Sequence, residues 1–142
     1  MSSINEEQSV TGLMHAIGVL VRRTRNESCE GELSMTESVV MSRLANDGPA
    51  TTAALARAEK MKPQSMGTTV AALEEMGLVK RTPHPSDGRQ MLIALTAEGT
   101  RLRSKNREAK HMWLSRAIAE LDPQERDVLF KAAGILKKLG EK

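Results

Sequence analysis

Gln64, Ser65, Thr68 and Thr69 stand at helical spacing in a segment that opens with Lys62-Pro63. Glutamine can bond an adenine edge at two points, and serine or threonine can bond several bases or a phosphate. Between Pro63 and Leu73 the segment has no lysine or arginine. Lys60, Lys62, Lys80, Arg81 and Arg89 surround it and must supply much of the local charge that phosphates attract. Further on, Pro83, Pro85, Ser86, Asp87 and Gly88 supply turn chemistry and leave Arg89 at the tip of the turn. These residue types suit a groove-reading face beside a basic projection.

Other chemistry has less to stand on. His15, His84 and His111 have no ligand-like spacing with one another or with carboxylates, so no metal is expected. His84, near the turn, is expected to be exposed or close to phosphate. No Ser-His-Asp set, carboxylate pair or phosphate-cradling glycine loop stands out. Neither an enzyme nor a cofactor is expected. Phe130 and Trp113 are the aromatic residues, and there is no tyrosine. That weighs against single-strand modules that stack bases on aromatic faces.

The elements that must position these residues follow from periodicity and caps. Val10, Leu13, Met14, Ile17, Leu20, Val21 and Thr24 predict a first helix over 9–27, with Arg22, Arg23 and Arg25 near its C-terminal end. Ser34-Met35-Thr36-Glu37 has the form of a capping box and opens a second helix through Val39, Val40, Met41 and Leu44, which Asn46-Asp47-Gly48-Pro49 stops. Thr51 is an N-cap for a short third helix with Leu55 and Ala56. Pro63 fits the first position of a fourth, which runs to about Met76 with Gly77 as its C-cap. Met66, Val70 and Leu73 make its buried face.

The period then changes. Leu78 to Thr82 and Met91 to Leu95 predict a two-stranded hairpin with a proline-braced tip. Thr96 caps a helix that runs to about Glu120. Asp122-Pro123-Gln124-Glu125 starts a last one with Val128, Leu129, Ala132, Ile135, Leu136 and Leu139 on it. Residues 51–95 thus read as two short helices joined by a tight turn and followed by a hairpin, a winged helix-turn-helix. Its first helix braces the second, the second lies in the major groove, and the hairpin reaches the backbone or minor groove.

The 142 residues fit one domain, and a net charge of +3 with a pI near 9.2 permits nucleic-acid binding without requiring it. A hydrophobic share of 39% is low for a self-sufficient globule, and burial against a partner subunit would make up part of the shortfall. One cysteine, no apolar run of membrane length and no secretory signal at the N-terminus point to a reducing, cytoplasmic setting and no membrane.

Leu33-Ser34-Met35-Thr36-Glu37, Leu55-Ala56, Leu73-Glu74-Glu75-Met76-Gly77-Leu78-Val79-Lys80-Arg81, Asp87-Gly88-Arg89 and Leu95-Thr96-Ala97-Glu98-Gly99 together resemble the MarR family of transcriptional regulators. They occur in its order and at its spacing, most clearly over about 33–103. The resemblance implies one MarR-type domain over 1–142. Within it, 33–95 is the DNA-binding lobe, and 1–27 with 100–142 form a helical dimerisation region. Arg89 is then the arginine of an Asp-x-Arg wing that enters the minor groove, and Asp87 orients the arginine or the wing. Relatives often carry arginine in the middle of the fourth helix and an Asp-Arg pair before its last leucine. Here Thr68, Ala71 and Ala72 stand in those places, so base choice would fall to Gln64, Ser65, Thr68 and Thr69.

The resemblance further implies a repressor that binds a palindromic duplex operator as a homodimer and is released by a small aromatic or phenolic effector. A pocket between the helical region and the DNA lobe would be lined by Met14, Ile17, Val39, Arg43 and Trp113. Peroxide-sensing relatives use a cysteine nearer the N-terminus supported by tyrosines, so Cys29 is expected to be inert. The cation run Arg101, Arg103, Lys105, Arg107, Lys110 reads as a solvated helix face, or else as an electrostatic flank for DNA. The alternative to the whole reading is a winged-helix protein-interaction module without specific DNA reading, favoured by the cation-free fourth helix.

Overall fold

The structure, a computed structural model, describes residues 2–28 and 32–142. Cys29 lies outside the described residues. The element order is α1 (Ser2–Asn26), α2 (Met35–Asp47), β1 (Ala50–Thr51), α3 (Thr52–Ala58), α4 (Pro63–Glu75), β2 (Val79–Pro83), β3 (Met91–Leu95), α5 (Ala97–Ala119) and α6 (Pro123–Gly140).

Caps set most of these boundaries. The Ser34 hydroxyl accepts the Glu37 N–H while the Glu37 carboxylate accepts the Ser34 N–H, so the capping box is closed in both directions. Asp122 and Glu125 do the same at the start of α6. Thr51 and Thr96 cap α3 and α5 by accepting the N–H groups of Ala54 and Gly99. At the end of α4, the N–H of Leu78 donates to the Leu73 carbonyl and that of Gly77 to the Glu74 carbonyl. This double bond pattern needs a left-handed residue, and Gly77 has φ +77°. The cap residue is therefore Met76, not Gly77, which follows it.

The two-stranded hairpin expected from the sequence is part of a three-stranded antiparallel sheet, ordered β1-β3-β2. Ala50 pairs with Ile93 and Thr51 with Leu92. A strand of two residues, the second of them the cap of α3, is too short to show an alternating pattern. The first wing strand starts one residue later than expected, because Leu78 is used to close α4. The first helix starts at Ser2 rather than residue 9, since Asn5 to Gln8 carry no apolar stripe to mark it.

Among the described residues the buried hydrophobic core runs from Leu33 to Ile93. Val40, Met41 and Leu44 of α2 meet Leu55 and Ala56 of α3, Met66, Val70 and Leu73 of α4, and Leu78, Val79 and Ile93 of the sheet. The winged lobe owns this core. By contrast α6 contributes no buried side chain. Of the eighteen large hydrophobic side chains that lie exposed among the described residues, fourteen are on α1 and α6. No helix among the described residues is long and apolar enough to cross a membrane.

Candidate nucleic-acid interface

The helix-turn-helix is α3, a turn at 59–62, and α4. Its turn is closed by the Met61 N–H, which donates to the Ala56 carbonyl at 2.8 Å. Lys60 sits at φ +54°, in the left-handed region. A side chain with a Cβ costs roughly 1–2 kcal/mol there, while glycine's looser unfolded chain takes back about 0.5–1 kcal/mol. Lys60→Gly is therefore expected to raise stability by about 0.5–1 kcal/mol, as a higher urea midpoint at unchanged slope. A lower midpoint would contradict the strained turn. The turn is also tied to α2, because the Arg43 guanidinium donates to Glu59 Oε1 from Nε (2.9 Å) and Nη2 (2.6 Å).

Helix α4 is amphipathic in the required sense. Met66, Val70 and Leu73 are 0% exposed and face the core. Gln64, Ser65 and Thr68 are exposed, and Thr69 is half-buried. The hydroxyls of Thr68 and Thr69 donate to the carbonyls of Gln64 and Ser65. Their protons are thus engaged, and each oxygen is left to accept. Lys62 occupies the N-cap without a side-chain cap bond, and Pro63 follows at the first helical position. First-turn N–H groups therefore stay open to an anion at the positive end of the helix dipole.

The wing joins β2 and β3 in the register Val79–Leu95 to Pro83–Met91. At its tip the Arg89 side chain is 95% exposed. Asp87 Oδ1 accepts the Arg89 N–H at 3.1 Å and lies 3.6 Å from Arg89 Nε. One carboxylate thus folds the turn and restrains the base of the arginine. Arg81, expected at DNA, donates from Nε to Glu74 Oε1 at 3.2 Å, which ties the wing to the end of α4. Lys60, Lys62 and Lys80 are exposed.

Sequence reasoning missed His84. The residue is partly exposed, and Nδ1 accepts the N–H groups of Ser86 and Asp87, a role that the reading of a ring exposed or close to phosphate did not include. The turn residues that follow it were the available signal.

The five residues expected to line an effector pocket lie on α1, α2 and α5. Val39 and Arg43 line a shallow groove with Ser42, Asn46 and Asp47. Met14 and Ile17 are exposed on α1, and Trp113 lies under the Arg23 guanidinium, 5.2 Å from the ring centre. Among the described residues no three His, Cys, Asp or Glu side chains gather as metal ligands.

Comparisons with known proteins agree with this geometry. Residues 33–91 match the family described as the MarR family. The chain is 35% identical over 135 residues to an HTH-type transcriptional regulator of Mycobacterium bovis, covering 95% of this chain and 94% of that one. An HTH-type transcriptional repressor of the same organism is 31% identical over 130 residues, covering 90% and 91%. A crystal structure from Pseudomonas aeruginosa, described as a transcriptional regulator protein, superimposes with a TM-score of 0.87 at 29% identity over 97% of both chains. The chain belongs to the MarR family and is a winged helix-turn-helix, DNA-binding transcriptional regulator.

Proposed function

We propose that this regulator acts in the cytoplasm as a homodimer that binds a palindromic operator and represses transcription. The observation that carries the dimer is the apolar surface of α1 and α6 that stays exposed among the described residues. A two-fold dimer through these helices presents two α4 faces, and operator symmetry mirrors that two-fold. A small aromatic or phenolic effector is the regulatory half of the reading. Trp113 beneath the Arg23 guanidinium offers it an aromatic face beside a cation.

In this reading Gln64, Ser65, Thr68 and Thr69 choose bases. Lys60, Lys62 and Arg89 contact phosphates or the minor groove, Asp87 holds Arg89, and Arg81 braces the wing within reach of the backbone. The test is a pair of competition titrations, best operator against random duplex. Arg89→Ala is expected to weaken binding to every sequence and to lower the salt slope by about one if it neutralises a phosphate. If it reads a narrow A·T-rich minor groove, the loss is largest on such flanks. Gln64→Ala is expected to cost about 1–3 kcal/mol on the best operator and much less on random DNA. Lys60→Gly should likewise lower the salt slope. Unchanged operator affinity in both alanine variants would remove Arg89 and Gln64 from the DNA interface.

A further inference from the structure

We propose that neutral His84 is a positioning residue for the wing arginine, so that protonating His84 opens the wing tip and weakens DNA binding. The proposal rests on the reading that Arg89 meets DNA. The geometry starts at His84 Nδ1, which is 3.1 Å from the backbone nitrogens of both Ser86 and Asp87 and 3.2 Å from Ser86 Oγ. Both backbone groups are donors, so Nδ1 must be the unprotonated nitrogen, and the ring's proton sits on Nε2. The same few residues carry Arg89. The His84 N–H donates to the Gln90 carbonyl, the Gln90 N–H donates to the Asp87 carbonyl, and Asp87 Oδ1 accepts the Arg89 N–H. His84 therefore holds the backbone of Asp87 from one side while the Asp87 carboxylate holds Arg89 from the other.

A second proton on the imidazole would sit on Nδ1 and face the two N–H groups that it accepts when neutral. That contact is repulsive, so the ring must swing away and release Ser86 and Asp87. The charged groups at the tip are Asp87 and Arg89, and the paired strand ends beside it bring Thr82, Pro83, Met91 and Leu92, none of them titratable. Lys80 and Arg81 are further down β2. An imidazolium freed from the turn would find the Asp87 carboxylate beside it and compete with Arg89 for it. Both effects act in one direction, towards an unrestrained arginine.

Asparagine is the conservative replacement, because its Oδ1 accepts backbone N–H groups two residues on in the same way but does not titrate. The experiment measures the affinity of the full chain for the best duplex selected from random sequence, from about pH 8 to about pH 5.5. Wild type, His84→Asn and His84→Ala are compared. At the high end His84→Asn should match wild type, and His84→Ala should be weaker by about tenfold, the scale of one lost arginine contact. Towards the low end wild type should lose affinity relative to His84→Asn. In an Arg89→Ala background the His84 variants should no longer differ. Parallel pH profiles for wild type and His84→Asn would overturn the proposal. So would affinity that rises on acidification in wild type alone, which would make the imidazolium a phosphate contact. A DNA-free readout separates this from failure of the operator reading. In nitrogen-detected NMR at high pH, His84 should show a bare Nδ1, and its titration should move the Ser86 and Asp87 amides together. A protonated Nδ1 at high pH would contradict the turn itself, whatever the chain does with DNA.

Discussion

Gly99→Ala is expected to be severely destabilising, by about 3 kcal/mol, the upper end of what overpacking costs. A Cβ on Gly99 would lie 2.1 Å from the Leu78 carbonyl oxygen and 3.1 Å from its carbon. No flexible side chain is available to give way, because the obstacle is backbone. That backbone is held on both sides. The Thr96 N–H donates to the Leu78 carbonyl, the Leu78 N–H closes α4, and the Thr96 hydroxyl donates to the Gly77 carbonyl at 2.6 Å. Relief would require α5 to back away from the root of the wing, where α4, β2 and β3 converge. Thermal unfolding at fixed chain concentration should show the midpoint falling by about 10 °C. A midpoint within about 2 °C of wild type would contradict the close approach.

Removing residues 1–27 is expected to give monomer or aggregate and to lower operator affinity by about a hundredfold or more. A lone lobe loses the effective concentration that a second half-site provides. Deletion also removes contacts inside the chain, including the 2.8 Å bond from Arg25 Nη2 to the Leu33 carbonyl. A gentler variant avoids that objection. Leu129 and Ile135 are 37% and 62% exposed on α6, so Leu129→Glu with Ile135→Glu should leave the lobe folded and still split the dimer. Sedimentation and circular dichroism report the two properties separately. A truncated chain that stays a soluble, operator-binding dimer would remove the helical interface.

The fold was legible where a local signal and the global arrangement agree. Two capping boxes, Thr51, Pro63 and Thr96 each mark a boundary by satisfying or removing a backbone donor, which a short stretch of sequence can show. The core face of α4 was legible because Met66, Val70 and Leu73 repeat at helical spacing. What escaped depends on partners distant in sequence. β1 exists because Ala50 and Thr51 reach β3 more than forty residues later. Arg43 is engaged by Glu59 across the helix-turn-helix and Arg81 by Glu74 at the end of α4, pairings that no local pattern marks. His84 was expected to be exposed or close to phosphate, whereas its Nδ1 accepts backbone N–H groups, which carry no sequence identity. The Asp87-Arg89 unit was legible because both members lie within three residues.

The most direct test of the account is selection of duplexes from a random pool by the full chain, followed by the stoichiometry of the winning complex. The expected result is one enriched inverted repeat, with half-site centres about 10–10.5 base pairs or a multiple apart and two chains bound per duplex. Enrichment of no sequence, with binding that tracks salt alone, would contradict it.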